Sequence, residues 1–436
     1  MKPLERPVSR GGLWGWRLFD WANSPFPTVI ITFVFSAYYT QAVADDQVTG
    51  SSWWSAAVAI SAVCIALLSP PLGAIADQTG RRKPWLAAAT IVTITATAML
   101  WFVAPEERWL LVGAILIVIA NVGFEIGMVF YNSMLPDLAP PNRIGRISGE
   151  AWALGYAGGL VCLVVALLVF VQTDTPPFGL DKSTAEHVRI VALVVALWIA
   201  VFSLPTFLLT PDRKRTEMPL RQAAQGGIKQ LIKTLKNVRQ FHEITRYLIA
   251  RLFYVDGMNT LFLFGGIYAA GTFKMSVEEI IQFGIALNVA AGIGAFVFGR
   301  IDDLIGPKKV ILIAIAGMLA VSTPLLMVEG KLLFWVFALP LGLFFGPAQT
   351  ASRSLMARLT PPHMTTEMFG LFALSGKATA FLGPTLVGTV TVLADSQRIG
   401  MATIAGLLII GGLIMLTVKA PPPIRDEALA DKPPAS

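Results

Sequence analysis

The sequence predicts an all-α membrane protein of twelve transmembrane helices arranged as two six-helix halves, and three observations predict it. Hydrophobic residues make up 55% of the 436 and charged residues only 14%, well below the quarter usual in soluble domains. Twelve apolar segments are each long enough to cross a bilayer core of about 30 Å. A loop motif in the first half recurs in the second with the same internal spacing.

The first six segments fall near 17–42, 53–76, 84–104, 109–134, 149–171 and 188–209. The second six fall near 246–270, 278–299, 309–327, 332–356, 367–393 and 399–418. This divides the chain into a half at 1–209, a linker at 210–245, a second half at 246–420 and a tail at 421–436. The acidic, proline-rich tail reads as disordered. Lys2, Arg6 and Arg10 precede the first apolar run as they would in a signal peptide. Asp20 and Asn23 interrupt that run without a clear cleavage pattern, so it is read as a retained helix.

Twenty-four Lys and Arg fall in the termini and the loops at 73–84, 135–148, 210–245, 300–309 and 353–366. Six fall on the other side, at Arg108, Lys182, Arg189, Lys274, Lys331 and Arg398. That bias predicts both termini in the cytoplasm of a cell-membrane protein. The +7 charge is therefore a topology signal, and no nucleic-acid partner is expected. In the linker, Arg221, Lys229, Lys233 and Lys236 alternate with Leu220, Ile228, Leu231, Ile232 and Leu235. This reads as a basic amphipathic helix at the anionic inner leaflet.

The repeated motif is Gly73, Asp77, Gly80, Arg81 and Arg82, matched 226 residues later by Gly299, Asp303, Gly306 and Lys308. Its glycines let backbones approach, its aspartate can accept hydrogen bonds from a facing helix end, and its cations stay in water. The pair predicts a conformational clasp, against the plainer reading of two basic turns that obey topology. Pro307 replaces the first cation of the second copy, which predicts a weaker second clasp. A further echo, at offset 221, relates Ser133, Pro140, Pro141, Gly149 and Gly155 to Ser354, Pro361, Pro362, Gly370 and Gly376.

Few charges lie deep in the spans, and burying one costs a few kcal/mol, so each is a candidate site residue. Asp20 and Asn23 share a face beside Pro25 and Pro27, where free carbonyls suit a cavity wall; the alternative for Asp20 is a hydrated position near the cytoplasm. The seventh segment repeats the R-L-F entry and carries Asp256 and Asn259, set about 3 Å deeper. The alternative for Asp256 is a structural ion pair with Arg251 or Lys377. Asn121, Glu125, Met128 and Asn132 form a polar stripe that must face the bundle interior. Glu125 is a second candidate proton carrier, or an interhelical hydrogen-bond partner. Lys377 needs a counter-charge from Asp256 or Glu125, and Gly383-Pro384 is expected to bend its helix. A zwitterionic solute could split such a pair.

Cys64 and Cys162 each lie inside a span, and His187, His242 and His363 lie at loops or helix ends. Neither a disulfide, a metal site nor a cofactor is expected. No G-x-x-x-x-G-K-[ST] loop is present, so an ion or solute gradient is the expected energy source.

The G-x-x-x-D-x-x-G-R-R loop resembles the signature of the major facilitator superfamily. The segments D-W-A-N-S at 20–24, F-Y-N-S-M-L-P at 130–136, G-R-I-S-G-E-A-W-A-L-G-Y-A-G-G at 145–159, D-G-M-N-T at 256–260 and G-K-A-T-A-F-L-G-P at 376–384 resemble its vacuole-effluxer-like branch. The resemblance implies a secondary transporter working by alternating access, with amino acid efflux proposed for fungal members. Proton coupling through Asp256, Glu125 or Asp20 and a monomeric state are the corresponding expectations. Two rivals remain open at this stage: an exporter of hydrophobic compounds, with Trp21, Phe26, Phe130 and Phe381 lining an aromatic cavity, and a non-transporting sensor. An enzyme is not expected.

Overall fold

The computed structural model describes residues 4–423; most of the tail assigned to disorder lies outside the described residues. Among the described residues, twelve helices are long and apolar enough to cross a membrane: α1 (Arg10–Val43), α2 (Gln47–Thr79), α3 (Lys83–Phe102), α4 (Glu107–Leu138), α5 (Pro141–Val171), α6 (Glu186–Leu209), α7 (Val238–Phe273), α8 (Glu278–Ile305), α9 (Pro307–Leu325), α10 (Lys331–Leu359), α11 (Thr365–Ala394) and α12 (Gln397–Thr417). One hydrophobic core is confined to the first half, around Phe26, Tyr39, Leu163 and Ile199. The other runs through the second half and crosses to Trp16, Tyr131 and Leu135 of the first.

Helices α1 and α11 depart from regular α geometry close to prolines. Helix α1 is α-helical through Asn23 and then widens into π-type turns over Phe26–Phe33, immediately after Pro25. Helix α11 is broken into Thr365–Lys377 and Leu382–Ala394. The break lies ahead of Gly383-Pro384 rather than at it. Pro384 sits in the first turn of the second piece, where no backbone donor is needed.

The linker carries one helix, Leu220–Lys236. Its buried face is Ala223, Gly227 and Thr234, while Leu220, Ile228, Ile232 and Leu235 are exposed. Small residues let it lie close on α2, since a Cβ at Gly227 would stand 2.7 Å from the Ile75 nitrogen. The longer apolar side chains are thus turned away from the protein.

The halves meet along two seams, α2 against α11 and α5 against α8. At the second seam a Cβ on Gly149 would stand 2.8 Å from the Gly299 Cα, so the backbones touch directly. Gly149→Leu therefore overpacks the seam and should lower the melting temperature by several degrees, a cost of about 1–3 kcal/mol. Gly406→Leu, placed where a Cβ meets nothing within 4 Å, should leave the melt unchanged in the same detergent.

Candidate substrate path and its clasps

At the linker end of the molecule, Gly80 (φ 84°) and Gly306 (φ 91°) turn the chain in conformations that favour glycine. The aspartates that precede them cap helices of the opposite half. Asp77 accepts hydrogen bonds from the Thr366 and Glu367 backbone N–H groups at 3.1 and 2.8 Å, at the start of α11. Asp303 accepts from the Gly145 and Arg146 N–H groups, both at 2.8 Å, at the start of α5. The two contacts are equivalent: offset 226 carries Asp77 to Asp303, and offset 221 carries Gly145 and Arg146 to Thr366 and Glu367. A carboxylate at a helix N-terminus gains both from the free donors and from the helix dipole.

The cations around the clasps differ from the sequence expectation. Arg82 is buried, donating to Asp137 at 2.6 Å and to the Thr366 hydroxyl at 3.1 Å. Arg81 is an exposed partner of Glu5. Lys308 does not occupy the place of Arg82; its ammonium donates to the Leu416 and Val418 carbonyls, at 2.8 and 2.7 Å, and so ties down the end of α12. Arg358 serves the second clasp instead, at 2.8 Å from Asp303 and 3.6 Å from Asp302. The first clasp also recruits the start of the linker. Arg213 donates two bonds to Asp137, at 2.7 and 2.9 Å, and Asp212 accepts from the Arg82 and Lys83 N–H groups.

Above the clasps lies a second set of contacts between halves. Asp20 is 4% exposed, which rules out the hydrated position considered for it, and pairs with Arg353 at 3.1 Å. Arg353 lies inside α10, not in a loop as the sequence count placed it. It also donates to the Asn132 side-chain oxygen, to the Ser148 hydroxyl and to the Ser148 carbonyl. Asn23 donates to the Met128 sulfur at 3.1 Å.

Deeper still, Lys377 pairs with Glu125 at 2.6 Å, and the two side chains keep 29% and 22% of their surface exposed. This α4–α11 pair joins the halves where α11 breaks. Asp256 is not the partner of Lys377. Its carboxylate accepts the Gly383 N–H at 2.9 Å, capping the second piece of α11, and among the described residues no cation pairs with it. Arg251 is engaged with the Phe372 carbonyl and the Ser375 hydroxyl at 2.7 and 2.9 Å, over the Phe372 ring. Asn259 is exposed. The polar stripe on α4 faces inward throughout, with Asn121 donating to Ser61 at 2.7 Å. The proposed aromatic cavity is not assembled: Phe26 and Phe130 are packed in the two cores, and Phe381 is 68% exposed.

The sequence reading missed Arg353, Arg358, Asp137, Asp212 and Arg213. The offset of 221 held a usable signal, because it relates Asn132 to Arg353 and Asp137 to Arg358, residues now seen at the same two layers. Nothing comparable pointed to Asp212 and Arg213, since the linker has no counterpart in the other half.

Two six-helix halves joined by helix caps and by the Asp20–Arg353 and Glu125–Lys377 pairs define a transporter of the major facilitator class, not an enzyme. The fold is similar to the proton:xylose symporter XylE bound to a bromodeoxyglucose, with TM-score 0.70, 12% identity, and 94% and 95% of the two chains covered. It is likewise similar to the transporter FucP in its outward conformation, with TM-score 0.68, 12% identity, and coverage of 94% and 98%. The chain belongs to the vacuole effluxer Atg22-like family, whose sequence model matches residues 42–144 and 141–427. It is 27% identical over 406 residues to the uncharacterized MFS-type transporter YxiO of Bacillus subtilis, covering 92% of this chain and 94% of that one. Autophagy-related protein 22 of Cryptococcus neoformans is 26% identical over 287 residues, covering 61% of this chain and 51% of the fungal protein. The chain thus spans about half the length of that fungal relative.

Breaking a buried pair by removing one partner is strongly destabilising, because the other charge is stranded. Arg353→Leu should therefore cost about 3–5 kcal/mol in thermal or denaturant unfolding. Adding Asp20→Asn to Arg353→Leu should recover part of that loss.

Proposed function

We propose that the protein is a secondary active transporter that moves a small zwitterionic solute, of the amino-acid type, across the cell membrane by alternating access. The observation that carries this reading is the Glu125–Lys377 pair. It is contributed by opposite halves, stands at 2.6 Å and keeps both side chains partly exposed. A solute with its own carboxylate and ammonium replaces the pair, the carboxylate meeting Lys377 and the ammonium Glu125. Each protein charge exchanges one partner for another, so the site is not left with a stranded charge. The description of the matching family as vacuole effluxers supports transport of a solute.

Asp256 is the proton carrier in this reading. Ionised, it is the acceptor that holds the Gly383 end of α11; protonated, it loses the charge that favours a helix N-terminus. Proton uptake thereby loosens the second piece of α11, which begins five residues after Lys377. The excess of Lys and Arg at the linker end supports a cytoplasmic location for both termini. The exposed Leu220, Ile228, Ile232 and Leu235 of the linker helix then lie against the inner leaflet. A monomer provides every group this cycle uses.

Purified protein in liposomes is expected to take up labelled amino acids, with flux that follows an imposed pH gradient. Lys377→Gln should weaken solute binding by at least about tenfold, the equivalent of about 1.4 kcal/mol. Asp256→Asn should retain solute exchange while losing the response to the gradient. Binding unchanged by Lys377→Gln would remove the central pair from the site. Wild-type flux indifferent to pH would remove proton coupling.

A further inference from the structure

The two seams between the halves are related by the internal repeat, yet their outer faces are covered differently. The linker helix lies over the α2–α11 seam. There Gly227 packs on the Ala74 and Ile75 backbone, and the Gln230 amide reaches the Met364 sulfur. No segment among the described residues covers the matching face of the α5–α8 seam. A cavity of about 500 Å³ opens there, lined by Arg10, Trp14, Arg17, Arg146, Glu150 and Phe296 together with three apolar neighbours.

The charges in this groove do not balance. Glu150 is the only carboxylate lining it, and it is shared by Arg17 at 2.7 Å, Arg146 at 2.8 Å and Arg300 at 3.4 Å. Arg10 adds a fourth guanidinium at the rim. The Nε of Arg17 is buried without a hydrogen-bond partner. Arg10, Leu13, Trp14 and Arg17 fall on one face of α1, and Arg17 lies about 10 Å deeper than Arg10. Below the cations the wall is apolar and turned outward: Phe296 is 45% exposed and Ile293, one turn further into the membrane, is 52% exposed. Trp14, 52% exposed, has the amphipathic ring favoured at a membrane interface.

We propose that this groove is a binding site for one anionic phospholipid of the inner leaflet. Its phosphate is held among Arg10, Arg17, Arg146 and Arg300, and an acyl chain runs down Phe296 and Ile293. Basic pockets between membrane helices on the cytoplasmic side suit anionic headgroups. A free phosphate satisfies the cations but leaves the apolar wall bare, which favours the lipid as occupant. The lipid bridges α1 and α5 of one half to α8 of the other. Arg146 also gives its backbone N–H to Asp303, so an occupied groove supports the second clasp. The assignment to the inner leaflet rests on the orientation proposed above; binding in detergent does not depend on it.

Native mass spectrometry of the full chain, titrated with phosphatidylglycerol and with phosphatidylcholine, tests the site. The first phosphatidylglycerol should bind about ten- to thirty-fold more tightly than phosphatidylcholine, and millimolar glycerol phosphate should not displace it. Arg17→Gln with Arg300→Gln should erase that preference, while Lys229→Gln with Lys233→Gln on the linker should preserve it. A preference that survives the groove variant, that falls equally in the linker variant, or that glycerol phosphate abolishes overturns the proposal. A bromine-labelled phosphatidylglycerol provides a readout in the native groove. It should quench wild-type tryptophan fluorescence more than that of Trp14→Phe, and equal quenching counts against the site.

Discussion

The structure depends on two carboxylates that each close the start of a helix in the other half. Asp77 holds the N-terminus of α11 and Asp303 holds that of α5, through four backbone hydrogen bonds of 2.8–3.1 Å. Hydrogen bonds to charged groups contribute about 1.5–3 kcal/mol each. Reversing a two-state equilibrium from 99:1 to 1:99 takes about 5.5 kcal/mol. Two such bonds, as in one clasp, are therefore comparable with the free energy that reverses such an equilibrium. Because helix ends supply the donors, release requires only a small separation of the halves and no side-chain rearrangement within either half.

The remaining contacts between halves form layers above this one. Asp20–Arg353 is buried, with side-chain exposures of 6% and 2%, and its partners Asn132 and Ser148 satisfy much of the guanidinium. Glu125–Lys377 is looser and partly open. Side-chain exposure thus rises from the Asp20–Arg353 layer to the Glu125–Lys377 layer. The break in α11 falls at the accessible layer, where Asp256 substitutes for the backbone acceptor that the second piece of the helix lacks.

Much of this was legible before any coordinates, and the reason is duplication. Offsets of 226 and 221, read separately, turned out to describe the two sides of one contact. The role of the aspartates as caps followed from a carboxylate next to a tight glycine turn. Partner choice among the deep charges was not legible. Asp256 and Lys377 are both ionisable and both close to the middle of the membrane, but sequence spacing within single helices carries no information on which helices face each other. Arg353 was lost for a simpler reason: helix α10 continues to Leu359, so an arginine assigned to a loop lies inside the bundle. Lys308 copies the position of Arg82 without its task, because Arg358 reaches Asp303 from α10 and the linker supplies Asp212 and Arg213 to only one clasp.

The most direct measurement is the distance between spin labels at Pro140 and His363, which lie on opposite halves at the linker end, with Cys64 and Cys162 replaced. With both clasps intact, one short, narrow distribution is predicted. Asp77→Ala combined with Asp303→Ala should add a clearly longer population. A distribution left unchanged by removing both carboxylates contradicts the claim that these caps hold the halves together.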